Sequence, residues 1–194
     1  MSSPYRLLGI CGSLRANSFS RAVLTALAEA VAAKAEFECA DVGAVPHFNQ
    51  DLFVDPLPQG VRALHDQIAV ADGLVIVSPE YNHGIPGVLK NALDWASRPH
   101  NGSPLRNKPV LIATSSPAVT GGVRAQYQIR ETLISALARP LNTPEIVVSQ
   151  VGAKMVDGRF EDQAVIDFAK VGFAALFAEI DRLAVLPDLA LAAH

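Results

Sequence analysis

Apolar runs alternate along the chain with segments in which apolar residues recur at helical spacing. The runs cover residues 6–11, 37–41, 73–77, 109–114 and, more weakly, a stretch between 141 and 148. The helical patterns predict helices near residues 18–34, 59–71, 86–97, 121–138 and 161–183. Continuous apolar runs are typical of parallel strands covered on both faces, and their alternation with helices indicates βαβ units.

This alternation predicts one α/β domain over residues 1–194, with an apolar tail at 185–194. Because parallel crossovers are almost always right-handed, we expect a doubly wound, flavodoxin-like fold. It would have three layers (α/β/α) and a five-stranded parallel sheet of order 2-1-3-4-5, although periodicity alone does not fix that order. Ligands of such sheets bind outside the carboxyl ends of the strands, so the loops at that edge carry the candidate chemistry.

The composition favours a small-molecule ligand. Half of the residues are hydrophobic (50%), 18% are charged and the net charge is −3. No basic stripe predicts a nucleic-acid partner, and no leader or membrane span is visible, so we expect no membrane partner and a cytoplasmic location. Cys11, Cys39 and the 5 histidines lack the spacing of metal sites, so no metal is expected.

The loop after the first predicted strand, residues 12–21, carries what a phosphate monoester needs. Ser13, Asn17, Ser18 and Ser20 are hydrogen-bond donors, and Arg15 adds a cation capable of a bidentate contact. The start of the following helix adds N–H groups that have no partner within the helix. Any one of these serines would be interpreted as a helix cap, but the combination favours phosphate.

Other nucleotide folds fit less well. The motif Gly-x-x-x-x-Gly-Lys-Ser/Thr is absent, which argues against an NTPase. The spacing of Gly9 and Gly12 does not make Gly-x-Gly-x-x-Gly. Asp41 ends the second predicted strand, where an acidic residue can bind the ribose of a dinucleotide. A dinucleotide-binding dehydrogenase therefore stays an alternative, although such a residue more often only ends a strand.

Two more loops follow the third and fourth predicted strands. Residues 78–95 read SPEYNHGIPGVLKNALDW, in which Pro79 ends the strand and Glu80, Tyr81 and Asn82 are displayed. Residues 114–122 read TSSPAVTGG, and the paired glycines allow close approach to a flat ligand, although alone this loop equally fits an ordinary turn. Because strands 1, 3 and 4 are adjacent in the expected order, the three loops would meet at one crevice. A single phosphate site and no second nucleotide domain favour FMN over FAD.

These motifs resemble the NADPH-dependent FMN reductase family, which is flavodoxin-like and includes bacterial quinone and chromate reductases. The similarity spans roughly residues 5–150, and the Pro-Glu-Tyr-Asn loop is its most specific part. The resemblance implies three groups of FMN-binding residues. The phosphate group is Ser13, Arg15, Asn17, Ser18, Phe19 and Ser20, the isoalloxazine group is Pro79, Glu80, Tyr81 and Asn82, and the polar-edge group is Ser116, Gly121 and Gly122.

The resemblance also implies an FMN-dependent NAD(P)H oxidoreductase that is a homodimer or homotetramer. Hydride passes from NADPH or NADH to FMN, and electrons then pass to a quinone, an azo compound, chromate or free flavin. No catalytic side chain is assigned, because the cofactor carries the chemistry, and Glu80 and Tyr81 are expected to shape the ring pocket. Ser115-Ser116-Pro117-Ala118 departs from the glycine-rich stretch common in relatives, a difference that bears on how closely the backbone of the polar-edge group approaches the ring.

The alternative is a non-enzymatic electron carrier of the flavodoxin type, which would bind FMN but show negligible turnover with a pyridine nucleotide. Such carriers are usually strongly acidic, so the mild net charge of −3 argues against this alternative. Arg124, Tyr127 and Glu145 resemble positions that relatives use between subunits, and they are left out of the FMN site.

Overall fold

The central strands of the sheet are buried on both faces, as their apolar runs predict. The computed structural model of the protein describes residues 3–185. Its four main strands are β1 (Tyr5–Cys11), β2 (Ala35–Cys39), β3 (Gly73–Pro79) and β4 (Pro109–Ser115), and every residue of β4 is buried. β2 begins earlier than the predicted run. Its exposed Glu36 and Glu38 interrupt the apolar pattern, so a search for apolar runs misses the start of this edge strand.

Helices cover both faces of the sheet and lie within a few residues of their predicted positions. They are α1 (Phe19–Val31), α2 (Gln59–Val70), α3 (Gly87–Ala96), α4 (Val123–Ser135) and α5 (Gln163–Ala184). Leu7, Val75 and Leu111 contribute to the core beneath α1 and α5. Their neighbours Leu8 and Leu74 contribute to the core beneath α2, α3 and α4. The alternation of strand side chains therefore produces two apolar cores and three layers.

The strand order β2-β1-β3-β4-β5 confirms the prediction, but the fifth position differs from it. The expected single strand between residues 141 and 148 is instead two short strands, β5 (Arg139–Pro140) and β6 (Ile146–Val148), which both pair in parallel with β4. Pro140 and Pro144 have no N–H to donate, so a continuous ladder cannot form across this stretch. The sequence prediction of one fifth strand was wrong in this respect.

A small antiparallel hairpin, which was not predicted, precedes α5. Its strands are β7 (Met155–Val156) and β8 (Arg159–Phe160). The tight turn between them is formed by Asp157 and Gly158, with φ values of 48° and 79°. Short 3-10 helices lie at Val42–Ala44, Gln50–Leu52, His100–Gly102 and Val151–Lys154. Apart from Val185, the predicted tail at 185–194 lies outside the described residues. Within residues 3–185, none of the helices combines the length and the hydropathy that a membrane span requires.

Candidate functional site

The carboxyl ends of β1, β3 and β4 bring the three predicted loops together. The Gly12 N–H donates to the Val77 carbonyl at 2.9 Å, which joins the first loop to β3. Pro79 is paired with Ser115, which joins the end of β3 to the end of β4. The three loops inferred to meet from the predicted strand order are therefore adjacent in the fold.

Gly12 sets the close approach of the first loop to β3. A Cβ atom at this position would lie 2.3 Å from the Ser78 Oγ and 3.1 Å from the Ser78 Cα. Ser78 is itself fully buried, so it has no room to retreat. The close contact with β3 therefore requires a glycine at position 12, and this contact sets the position from which the loop of residues 13–18 starts.

The first loop presents polar groups around the start of α1. Ser18 is the N-cap, and its Oγ accepts the Arg21 N–H at 3.3 Å. The Ser13 Oγ accepts the Arg15 N–H at 3.4 Å. Both hydroxyls still have a proton to donate to an anion, because an acceptor oxygen keeps its own O–H. Asn17 is exposed beside them.

Arg15 supplies the positive charge of this loop. Its guanidinium carbon lies 5.8 Å from the ring centroid of Phe19. Among residues 3–185, no carboxylate forms an ion pair with it. An uncompensated guanidinium beside helix N–H groups and two serine hydroxyls fits a phosphate monoester, and thus fits the phosphate of FMN.

Ser20 differs from the rest of the predicted phosphate group. It is 1% exposed, and its Oγ lies 2.8 Å from the Ser115 Oγ. This contact joins α1 to the end of β4 and occupies part of the hydrogen-bonding capacity of both hydroxyls. The structure thus gives Ser20 a role in joining two of the loops, and its contact with phosphate stays a prediction.

The second loop forms a tight turn at the carboxyl end of β3, beside the other two loops. The N–H of Tyr81 donates to the Gly84 carbonyl at 2.9 Å, and the N–H of Gly84 donates back at 3.0 Å. Between them Asn82 and His83 have φ values of 49° and 67°, in the left-handed region that non-glycine residues seldom adopt. The turn leaves Tyr81, Asn82 and His83 exposed, and Tyr81 is 47% exposed.

Glu80 points to α4 and caps its N-terminus. Its carboxylate accepts the N–H of Arg124 at 3.0 Å and the N–H of Ala125 at 3.4 Å. The Arg124 guanidinium lies 3.3 Å from the same carboxylate, of which the side chain is only 9% exposed. A carboxylate at a helix N-terminus is stabilised by the unpaired N–H groups and the helix dipole. Glu80 therefore fixes the third loop against the second, and its role in shaping the ring pocket stays a prediction.

Two glycines shape the third loop. Gly121 and Gly122 have φ values of 61° and 87°. A Cβ atom on Gly121 would lie 2.4 Å from the Val147 Cγ1, and one on Gly122 would lie 3.2 Å from the Thr114 Cβ. The positive φ disfavours a side chain at both positions, and at Gly121 the space excludes one as well, so the backbone itself forms this wall. Near it, the Ser116 Oγ accepts the Ala118 N–H at 3.1 Å and keeps a proton to donate.

Two glutamines that support the site were missed in the sequence. The Gln128 Oε1 accepts the Ile85 N–H at 2.7 Å and so holds the second loop to α4. The Gln126 Nε2 donates to the Ile146 carbonyl at 2.9 Å beside the interrupted fifth strand, and its side chain is buried. The available signal was the position of Gln126 on the same helix face as Ile129, where a polar residue needs a buried partner.

Comparison with known proteins agrees with this geometry. A sequence model for the family described as NADPH-dependent FMN reductase matches residues 5–153. The chain belongs to the NADPH-dependent FMN reductase family.

Individual proteins of this kind resemble the chain over most of its length. An NAD(P)H-dependent FMN reductase (PA1204) of Pseudomonas aeruginosa is 38% identical over 184 residues, which cover 94% of this chain and 99% of that protein. A quinone reductase of Escherichia coli K12 is 39% identical over 171 residues, covering 86% and 90%. The solved structure of the NAD(P)H:(acceptor) oxidoreductase FerB of Paracoccus denitrificans superposes with a TM-score of 0.81 at 29% identity, covering 92% and 98%.

These findings confirm the family, the flavodoxin-like fold and the assignment as an enzyme. The chain is an NAD(P)H-dependent oxidoreductase that uses FMN. The flavodoxin-type carrier and the dehydrogenase considered for Asp41 are both set aside, since the family is defined by FMN and pyridine nucleotide together. A WrbA-like flavodoxin of Agrobacterium tumefaciens, with a TM-score of 0.55 at 18% identity, shares the fold alone.

Proposed function

We propose that the three loops hold FMN in a single orientation and that the enzyme uses it to reduce quinones. The phosphate lies in the loop of residues 12–20, and the ring lies between residues 79–82 and the wall formed by Ser116, Gly121 and Gly122. The observation that carries this assignment is the charge of Arg15, which no carboxylate within residues 3–185 compensates. The buried Ser13 and Ser18 and the N-terminus of α1 lie beside it and complete an anion site.

Bound FMN would accept a hydride from the nicotinamide and return two electrons to an acceptor. The part of the chain is to orient the ring and to place backbone donors of the third loop at its carbonyl edge, where negative charge develops. The Glu80 carboxylate accepts the N–H groups at the start of α4 and pairs with Arg124, so it is given a structural role at the site. No side chain is therefore assigned a catalytic role.

Two relatives support a quinone as the acceptor. The E. coli K12 protein is named a quinone reductase. A 2-hydroxy-1,4-benzoquinone reductase of a Burkholderia species is 42% identical over 139 residues, which cover 72% of this chain and 75% of that protein. The exposed ring of Tyr81 at the crevice mouth is suited to contact a flat acceptor. Azo compounds, chromate and free flavin are the finer alternatives.

Anaerobic stopped-flow absorbance tests the first half of the reaction. Mixing the FMN-loaded protein with NADPH or NADH should bleach the flavin band within the turnover time measured in the steady state. A quinone added next should restore the band, and in steady-state assays quinones should have higher kcat/KM than azo dyes, chromate or free FMN. If neither nicotinamide bleaches the flavin band, the proposed reductase function is overturned for this chain. If another acceptor has a higher kcat/KM than quinones, the proposal that quinones are the acceptors is overturned.

The proposal includes assembly as a homodimer or homotetramer in the cytoplasm. Tyr127 and Ile134 on α4 are 62% and 59% exposed, and side chains of this kind are commonly covered by a second copy. Sedimentation velocity should give two or four times the chain mass of 20.6 kDa. Ile134→Asp should shift that distribution to smaller species, and a wild-type protein that sediments as a monomer would contradict the assembly.

A further inference from the structure

The second loop is attached to α4 on both sides of its turn. Before the turn, the Glu80 carboxylate accepts the Arg124 N–H at 3.0 Å. After the turn, the Gln128 Oε1 accepts the Ile85 N–H at 2.7 Å. Arg124 and Gln128 are separated by one turn of α4, so they lie on the same face of the helix. One helix face therefore holds both ends of residues 80–85.

The turn between these two attachments has an unfavourable backbone conformation. Both of its central residues have positive φ values, 49° at Asn82 and 67° at His83. Tight turns of this kind favour asparagine followed by glycine, because glycine has no Cβ atom to clash with the backbone. His83 occupies the position that favours glycine. The turn is therefore strained, and such a conformation persists only where surrounding contacts hold it.

The Gln128 side chain packs directly against the end of this turn. A Cβ atom on Gly84 would lie 2.7 Å from the Gln128 Oε1, so glycine at this position leaves the space that the amide oxygen occupies. The hydrogen bond from the Ile85 N–H is partly buried and uses only the carbonyl end of the glutamine. A carboxylate can accept the same N–H, whereas an apolar side chain of similar length cannot.

The turn determines how the ring of Tyr81 is presented. Tyr81 is the first residue of the turn, and both its N–H and its carbonyl pair with Gly84. Because the Tyr81 side chain is 47% exposed, its position depends more on this backbone than on packing around the ring. Release of the turn from α4 would therefore displace the ring.

We propose that Gln128 is a positioning residue for the quinone. It holds the strained turn in the conformation that presents Tyr81 to a flat acceptor, and it thereby sets the affinity for that acceptor. This inference rests on the proposed function, in which Tyr81 contacts the quinone. Gln128 acts through the backbone of the second loop, so binding of the FMN phosphate should not depend on it.

Amide hydrogen exchange, measured by NMR on the FMN-loaded protein, tests the contact apart from turnover. The Ile85 amide should exchange about 3- to 10-fold faster in Gln128→Met, which keeps the length of the side chain but has no acceptor oxygen. Gln128→Glu keeps an acceptor oxygen and should retain the protection of the wild type. Gln59→Met changes an exposed glutamine of α2 as a matched control and should leave Ile85 exchange unchanged.

Reoxidation of the bound flavin by menadione, a flat quinone, tests the effect on the acceptor. The FMN-loaded protein is reduced with dithionite under anaerobic conditions and mixed with increasing menadione in a stopped-flow instrument. Gln128→Met should raise the menadione concentration that gives the half-maximal rate by about 3- to 10-fold and leave the limiting rate unchanged. Gln128→Glu should match the wild type. FMN affinity, measured by fluorescence titration, should be the same in all of these proteins.

A second substitution guards against a general loss of structure. His83→Gly places glycine where the turn favours it, so the turn should keep its shape without the hydrogen bond from Ile85. In the double variant Gln128→Met/His83→Gly, most of the lost menadione affinity should return. If the affinity does not recover, strain in the turn is not what Gln128 opposes, and the inference is overturned.

These measurements separate the inference from the proposed function. Unchanged Ile85 exchange in Gln128→Met would overturn the contact. Faster exchange with unchanged menadione affinity, or an equal loss of menadione affinity in Gln128→Glu, would overturn the positioning role while the reductase function stands. A wild-type protein whose reduced FMN is not reoxidised by menadione would overturn the proposed quinone reduction, and the positioning role with it.

Discussion

The two edges of the sheet place their arginines in different surroundings. At the amino edge, Arg6 lies 3.3 Å from Asp72, and Arg139 lies 3.8 Å from Glu179. At the carboxyl edge, Arg15 has no carboxylate partner among residues 3–185. At the amino edge these two arginines are paired with carboxylates, whereas at the carboxyl edge Arg15 lies beside serine hydroxyls and the start of a helix. A cation grouped with such donors, rather than unpaired charge alone, therefore distinguishes the candidate site.

Gly12→Ala should have the largest effect. The new Cβ would meet Ser78 Oγ at 2.3 Å and the buried β3 backbone behind it, so we expect a loss of about 3 kcal/mol in the free energy of unfolding. Urea unfolding followed by circular dichroism measures this, and FMN titration should show a displaced first loop as weakened binding. Adding Ser78→Ala should recover part of the stability. A Gly12→Ala protein with wild-type stability would contradict the contact.

Glu80→Gln should have an intermediate effect on the same edge. It keeps the shape of the side chain but removes the negative charge at the N-terminus of α4 and its pairing with Arg124. We expect a loss of about 1–2 kcal/mol in stability, measured by urea unfolding, because this partly buried cap is stronger than an exposed one. FMN affinity should fall only several-fold, since the carboxylate acts through the third loop. Complete loss of flavin reduction with intact FMN binding would instead make Glu80 a proton donor.

The strands that are buried on both faces could be predicted from the sequence. Runs such as residues 73–77 are apolar because both faces of β3 are covered, and the resulting strand order is confirmed. The fifth strand was mistaken because the weak run between residues 141 and 148 is interrupted by the polar residues 142–145 and by prolines that lack an N–H donor, so two short strands form in place of one. The hairpin of β7 and β8 is too short to produce a period of its own.

The positions of the candidate residues in the fold could be predicted better than their contacts. Local motifs placed Ser18 at a helix start, where it is indeed the N-cap. Contacts between distant segments could not be predicted from local motifs. The residues around Ser20 do not indicate its hydrogen bond to Ser115, and those around Glu80 do not indicate its contact with the N-terminus of α4. Those contacts exist only once the strand order brings the loops together.

Asp162→Ala should have a smaller effect, which is confined to stability. Hydrogen bonds from Lys154 and then from the Val165 N–H hold the pKa of the Asp162 carboxyl below its ordinary value of 3.8. Because the pKa is lower in the folded state, this stabilisation is present at neutral pH and is lost as the pH falls below 3.8 and through the folded-state pKa. Loss of the α5 cap should destabilise the protein by about 1 kcal/mol at pH 7. In urea unfolding, a difference between variant and wild type that widens in acid would contradict this account.

Arg6→Ala at the amino edge should have the smallest effect. Its pair with Asp72 is exposed, with side-chain exposures of 62% and 31%, so its loss should change stability by about 0.5 kcal/mol or less. FMN affinity and flavin reduction should equal those of the wild type, measured by fluorescence titration and stopped-flow absorbance. A clear loss of FMN binding would mean that the two edges are not independent.

The central claim is that the phosphate of FMN is anchored by Arg15 and the start of α1. Its most direct test is fluorescence titration of the flavin-free protein with FMN and with riboflavin, which lacks the phosphate, in the wild type and in Arg15→Ala. We predict that the wild type binds FMN far more tightly than riboflavin and that Arg15→Ala reduces this discrimination by about 10- to 100-fold while riboflavin affinity stays the same. Equal binding of the two flavins by the wild type, or unchanged discrimination in Arg15→Ala, would contradict it.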